Sequence, residues 1–108
     1  MDCGRMKGNL EAILLSVTGE NGRLYGQEIV RQVQRRTQGK LVLGAGSLYP
    51  HLHRLEQRGC IHTETVQSPY RKGTVIPYTI TDVGREDLAE QRRLARAFIH
   101  SLQELLRL

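Results

Sequence analysis

Cysteine, tryptophan and aromatic residues in general are scarce in this chain of 108 residues, which holds two cysteines, no tryptophan and 5% aromatic residues. Cys3 and Cys60 are too few and too far apart to form a disulfide framework or a CxxC metal site. So few aromatic rings argue against a single-strand-binding platform, on which bases stack. The fold must therefore rest on an ordinary hydrophobic core, and we predict no metal site.

Long apolar runs and enzyme signatures are also missing. No run approaches the roughly 20 residues that a membrane-spanning helix requires, and the first residues lack the charged-then-apolar pattern of a signal peptide. The sequence shows no phosphate-binding loop, nucleophile elbow or paired-carboxylate motif. We therefore expect a cytoplasmic protein that is not an enzyme, needs no cofactor and has no membrane partner.

Positive charge, in contrast, is in excess. Lys and Arg number 16 against 11 Asp and Glu, which gives a net charge of +5 and a pI near 9.7. Such an excess favours nucleic acid or an acidic membrane surface as a partner. The length is enough for one domain with a modest core.

Residues 46–59 organise the rest of the chain. Three leucines at i, i+4 and i+7 predict one apolar side of a helix: Leu48, Leu52 and Leu55. We predict Ser47 as the N-cap, which places Pro50 in the first turn, where its missing N–H would have no partner. Gly59 is a natural end, because glycine adopts the left-handed cap conformation at little cost.

The opposite side of this helix is polar and basic. At about 100° per residue it carries four residues and no acid: Pro50, His53, Arg54 and Gln57. An amphipathic helix of this kind is often only a solvated surface helix, but the same pattern is what a DNA recognition helix needs. We predict that Arg54 and Gln57, together with His53, read base edges.

Two further helices are predicted before it. The first starts at Met6, has its apolar residues at helical spacing (Leu10, Ile13, Leu14 and Val17) and ends at the glycine-bearing segment 19–22. The second runs from Leu24 to about Arg36. Tyr25 opens this second helix, where it would either hold a phosphate or be half-buried core. A glycine-bearing connection to the basic helix then indicates a helix-turn-helix.

A β-hairpin is predicted after the basic helix. Alternation predicts strands over residues 61–67 and 74–80, joined by turn residues 68–73. Pro77 lacks an N–H, so we expect it at a sheet edge or bulge. Arg71 and Lys72 lie at the hairpin tip. Their side chains are either solvated or contact the DNA backbone or minor groove. The fold class is thus mainly α with a small β-hairpin (α+β), a winged helix-turn-helix.

The last helix is predicted from Thr81 or Asp82 to the C-terminus. Its apolar residues recur every seven positions or widen that seam, and we predict that they form a dimer interface: Leu88, Ala95, Phe98, Ile99, Leu102, Leu105 and Leu106. The alternative is that the helix folds back onto the first helix. We accordingly divide the chain into a DNA-binding domain, residues 1–81, and a dimerisation helix, residues 82–108, within one compact unit.

Four segments, in the same order along the chain, resemble the PadR family of bacterial winged-helix transcriptional regulators. The most distinctive match is residues 46–61, with the Leu-Tyr-Pro triplet and the Leu-Glu-x-x-Gly-x-Ile ending. Residues 24–29, the Tyr-x-x-Thr-x-x-Gly pattern of residues 78–84 and the segment 7–14 match more weakly. The chain departs from the family at 75–77, where Val-Ile-Pro replaces the basic and aromatic residues usual there.

The resemblance implies a homodimeric repressor of a roughly palindromic operator, with a small-molecule effector in many members. It places Tyr25, Ser47 and Tyr49 at DNA-contact positions. Two alternatives stay open: a winged helix that binds an acidic protein instead of DNA, and a metal-responsive repressor that uses nearby histidines and a cysteine: His51, His53, Cys60 and His62.

Overall fold

A computed structural model describes residues 9–108. The elements in chain order are α1 (Asn9–Asn21), β1 (Arg23–Tyr25), α2 (Gly26–Arg36), α3 (Ala45–Gln57), β2 (Ile61–Thr63), β3 (Val66–Gln67), β4 (Thr74–Val75), β5 (Pro77–Ile80) and α4 (Asp82–Leu106). This is the predicted α+β arrangement of a winged helix-turn-helix followed by a long helix. The predicted helix start at Met6, and Cys3, lie outside the described residues.

The core forms where the apolar sides of the first three helices meet. Its most deeply buried side chains include residues of α1, α2 and α3: Leu14, Leu15, Ile29, Leu48, Leu52 and Leu55. The leucine spacing of the basic helix therefore identified its buried side correctly. The hydroxyl of Thr18, the one polar residue of this core among those described, donates a 2.7 Å hydrogen bond to the Leu14 carbonyl.

The start of α3 differs from the prediction. The helix begins after Gly44, whose carbonyl accepts a hydrogen bond from the Leu48 amide at 2.9 Å, so Gly44 and not Ser47 is the N-cap. Pro50 consequently lies in the second turn. Because proline has no N–H, the carbonyl of Gly46, four residues earlier, accepts no helical hydrogen bond from it. Gly46 and Pro50 are both exposed, so water can solvate this carbonyl.

A three-stranded antiparallel sheet, in the order β1-β5-β2, joins the start of the chain to the hairpin. Strand β1 was not predicted, because Leu24 and Tyr25 were assigned to a helix. Leu24 pairs with Tyr78 and Tyr25 with Pro77. The expectation for Pro77 was therefore also wrong: it is the first residue of the central strand, a position where the missing N–H is tolerated.

The wing is one hairpin whose pairing is interrupted. The pairs Thr63–Tyr78 and Val66–Val75 belong to one register, but no pair between the two arms of the hairpin forms between them. At the tip, the Ser68 hydroxyl accepts hydrogen bonds from the amides of Tyr70 (3.2 Å) and Arg71 (3.3 Å). This side chain thereby orders the turn that presents the basic residues.

The junction between β5 and α4 is closely packed. Thr81, one of the two residues predicted to start the helix, caps α4 by accepting a 3.0 Å hydrogen bond from the Gly84 amide. A β-carbon on Gly84 would stand 2.1 Å from the Cys60 carbonyl oxygen, so only glycine fits there. The spacing of Tyr78, Thr81 and Gly84 thus has a physical basis in a buried ring, a cap and a close backbone approach.

Helix α4 has 25 residues, about 37 Å at 1.5 Å per residue. Its first part packs on α1, and Leu88 belongs to the core with 6% of its surface exposed. Its distal part leaves large apolar side chains exposed, among them Ile99 (53%), Leu105 (77%) and Leu106 (62%). No helix in the described range is long and apolar enough to cross a membrane.

Candidate nucleic-acid interface

Helix α3 presents the predicted base-reading residues to solvent. Its three leucines fix the helix on the core, and the side chains of Ser47, His53, Arg54 and Gln57 are all exposed on the remaining surface. Arg54 is partly held in place, because its Nη2 donates a 2.6 Å hydrogen bond to Nδ1 of His51, one turn earlier. A guanidinium that is already oriented loses less freedom when it binds a base edge.

Tyr25 and Tyr49 both lie at the N-terminus of α2. Tyr25 is the N-cap, and its amide donates a 3.0 Å hydrogen bond to the Glu28 carboxylate, which fixes the start of the helix. The phenol of Tyr49 in α3 packs against Gly26, the first residue of α2. Two phenols thus lie beside a helix N-terminus, which favours an anion.

Tyr78 of β5, which pairs with Leu24, lies near Tyr49. It is buried, with 8% of its surface exposed. Burial, reinforced by the neighbouring Tyr49 and Glu56, raises the pKa of the Tyr78 phenol. Like any tyrosine phenol, this hydroxyl is protonated near neutral pH and can donate a hydrogen bond.

The wing tip exposes Arg71 and Lys72, as predicted, and also Tyr70, whose surface is 85% exposed. Tyr70 is not among the site residues predicted from the sequence. Its position next to Arg71 and Lys72 is the sequence feature that could have identified it as a site residue. The three side chains project from the turn that Ser68 orders.

An open groove of about 1090 Å³ runs between α2 and the wing. It is lined by all four tyrosines of the chain and by three arginines: Tyr25, Tyr49, Tyr70, Tyr78, Arg31, Arg35 and Arg71. Arg31 and Arg35 were not predicted as site residues. Their spacing of four places them on one side of α2, but only the fold shows that this side faces the wing.

The arginines of the winged domain fall into two groups. Three are neutralised by carboxylates away from the groove: Arg23 by Glu64 (3.9 Å), Arg36 by Glu20, and Arg58 by Glu11 and Asp87 (3.2 and 3.0 Å). Four exposed ones have no carboxylate partner within residues 9–108: Arg31, Arg35, Arg54 and Arg71. The uncompensated charge is therefore on α2, α3 and the wing.

The predicted dimer residues differ in how far the fold buries them. Leu88 is buried within the chain and has no surface left for a partner, whereas Ala95, Phe98 and Leu102 are partly buried. Ile99, Leu105 and Leu106 are exposed.

The possible metal ligands of a metal-responsive repressor do not lie together at one site. Cys60 is buried in the core, His51 pairs with Arg54, and His53 and His62 are exposed on different elements. In the part of the chain that the structure describes, no three potential ligands form a metal site.

The sequence model of the "Transcriptional regulator PadR-like family" matches residues 14–90. A PadR-like transcriptional regulator from Bacillus cereus is 26% identical, with 94% of each chain covered and a TM-score of 0.77. A transcriptional regulator from Clostridium thermocellum is also 26% identical, with 89% of this chain and 94% of that chain covered and a TM-score of 0.73.

One similar structure contains DNA. It is Bacillus subtilis PadR in complex with operator DNA, which is 25% identical and has a TM-score of 0.65, with 75% of this chain and 45% of that chain covered. No curated protein matches in a sequence comparison.

Proposed function

Because the chain belongs to the PadR-like family of transcriptional regulators, we propose that it is a sequence-specific DNA-binding repressor that acts as a homodimer. The observation that carries this proposal is the location of the uncompensated positive charge. Arg31 and Arg35 of α2 line one groove together with Arg71 of the wing. Arg54 is exposed on α3, whose Tyr49 borders the same groove. The arginines of the domain that pair with carboxylates, in contrast, lie away from it: Arg23, Arg36 and Arg58. Bacillus subtilis PadR, a relative of this fold, binds operator DNA.

Helix α3 enters the major groove in this proposal. Arg54 and Gln57, with His53, contact base edges, since their side chains carry the donors and acceptors that discriminate base pairs. Ser47, Tyr25 and Tyr49 contact phosphates around the entry point. Arg71 and Lys72 contact the backbone or the adjacent minor groove from the wing.

Dimerisation uses the distal half of α4. Ile99, Leu105 and Leu106 form an apolar surface that one subunit leaves uncovered, and the same helix of a second subunit would bury it. A two-fold dimer places two α3 helices in successive major grooves, about 34 Å apart. Occupation of a promoter by such a dimer blocks transcription. In the same proposal, a small molecule that binds the protein releases it from the operator.

Fluorescence anisotropy tests the proposal. The duplex from upstream of the protein's own gene is compared with a shuffled duplex across a salt series. We expect tighter binding to the native duplex that persists as salt rises. Equal binding that disappears with salt contradicts sequence-specific regulation, and weak binding to every duplex, with a tight acidic protein partner, would favour the protein-interaction alternative.

Two variants separate base contacts from phosphate contacts. Arg54→Ala is expected to reduce discrimination between the duplexes by about 1–3 kcal/mol. Lys72→Ala is expected to weaken both duplexes similarly and to flatten the salt dependence by about one unit of slope. Arg36→Ala is the control, because Arg36 is neutralised by Glu20. Equal losses on both duplexes for Arg54→Ala would contradict its role in base reading.

A further inference from the structure

We propose that the groove between α2 and the wing holds the sugar-phosphate backbone of one DNA strand, with Arg31 and Arg35 contacting phosphates from one wall and Arg71 from the other. This inference rests on the proposed DNA binding and extends it to two arginines and a surface that had no assigned role.

The first support is the spacing of Arg31 and Arg35. Four residues apart on a helix, their β-carbons are about 5–6 Å from each other, so both side chains project into the groove from one turn of α2. Like charges at this spacing destabilise a helix by a few tenths of a kcal/mol. Within residues 9–108 neither arginine forms an ion pair with a carboxylate, and the one acid of α2, Glu28, already accepts the Tyr25 amide. A bound polyanion would remove this repulsion.

The second support is the composition of the groove. Of its lining residues, Glu28 is the one carboxylate, and it already accepts the Tyr25 amide. Three arginines therefore face one acid. The tyrosines add neutral hydroxyl donors, which are common partners of phosphate oxygens.

The third support is the course of the groove, which identifies the occupant. Tyr49 of α3 borders it on one side and the wing tip with Arg71 on the other. With α3 in the major groove and the wing at the adjacent minor groove, the strand that separates the two grooves must pass between these elements. The volume of about 1090 Å³ is also far larger than a single phosphate needs.

The test compares the full-length protein with the double variant Arg31→Gln/Arg35→Gln. Anisotropy is measured with the native and the shuffled duplex across a salt series. Losing two phosphate contacts should weaken both duplexes, on the order of tenfold at low salt, and reduce the slope of log K against log salt by about 1.8. The preference for the native duplex should remain.

Two controls separate charge from structure. Arg31→Lys/Arg35→Lys keeps the charge, so its slope should stay close to that of the unmodified protein. Arg36→Gln removes a charge from the same helix at a residue that does not line the groove, and it should change the slope little. Circular dichroism checks that α2 is retained in each variant.

The outcomes distinguish this inference from the proposed function. If the unmodified protein prefers the native duplex but the double glutamine variant keeps its salt slope, the groove proposal is wrong and sequence-specific binding stands. If the unmodified protein binds neither duplex, both proposals fail. A third result would overturn the proposal and make the groove a site for a small anion. In that result, millimolar inorganic phosphate raises the melting temperature of the unmodified protein but not of the double variant, and the two proteins bind DNA equally.

Discussion

The phenol oxygen of Tyr49 lies 2.8 Å from the point where a β-carbon on Gly26 would stand. A side chain of the candidate recognition helix α3 thus packs against the first residue of the preceding helix α2. The missing side chain at Gly26 makes room for the ring, and Gly26 has ordinary helical backbone geometry, so contact and not conformation explains the glycine.

Gly26→Ala should therefore displace Tyr49 and leave the fold intact. The ring is 46% exposed and can move, and alanine is a better helix former than glycine, so the melting temperature should change little. We expect DNA affinity to fall several-fold on native and shuffled duplexes alike, measured by anisotropy. Tyr49→Phe is the matched variant, because it removes the hydroxyl without moving the ring. Unchanged affinity in both would exclude Tyr49 as a phosphate contact.

Arg58→Ala should affect stability and not DNA binding. Arg58 follows α3 and connects Glu11 of α1 with Asp87 of α4, two carboxylates that are only about a fifth exposed. We expect urea denaturation to show a loss of about 1 kcal/mol, because Arg58 itself is half exposed and such pairs are worth little each. Arg23→Ala, which removes one longer contact of 3.9 Å, is the control and should cost less. A loss of affinity in folded Arg58→Ala protein would instead place Arg58 in the interface.

The protein should lose stability in alkaline solution. Burial raises the pKa of the Cys60 thiol above its ordinary value of 9.0, and burial likewise raises the pKa of Tyr78 above 10.0. A raised pKa means that the folded state favours the protonated group, so its contribution is intact below the ordinary value and is lost as pH rises through the raised one.

Urea denaturation at several pH values checks this expectation. The free energy of unfolding should begin to fall near pH 9, and Cys60→Ala should flatten the first part of that fall while lowering stability at neutral pH through a small cavity. The experiment is best done with Cys3→Ser as the background, so that Cys60 is the only thiol. Parallel pH profiles for the two proteins would show that Cys60 does not contribute.

Ile99→Glu should convert the proposed dimer to monomers. A charge in the centre of an apolar interface has no partner and is costly to bury. Val83→Glu is a matched control, because Val83 lies on the same helix with the same 53% exposure but outside the distal surface. Sedimentation velocity should show monomers for Ile99→Glu only, with weaker binding to a two-site duplex and unchanged binding to a half-site. A dimer that survives Ile99→Glu would exclude this part of α4 as the interface.

Local patterns were sufficient for much of the fold. The spacing of Leu48, Leu52 and Leu55 identified the buried side of α3 because helical periodicity repeats within a few residues. Thr81 was a recognisable cap candidate for the same reason, since its hydroxyl accepts a hydrogen bond from an amide only three residues away. Alternation in the hairpin and basic residues at its tip identified the wing.

Other features depend on residues that are distant in the sequence, and only the tertiary structure decided them. Strand β1 has three residues and exists because β5 pairs with it, so neither its length nor its composition distinguished it from a helix start. Leu88 fitted the apolar seam of α4, but packing against the core buried it. Arg31, Arg35 and Arg71 form one groove only because the fold places α2 opposite the wing. The sequence by itself determined which residues could form each element, and the packing of those elements determined which charges share a surface, because contact across elements has no local periodicity.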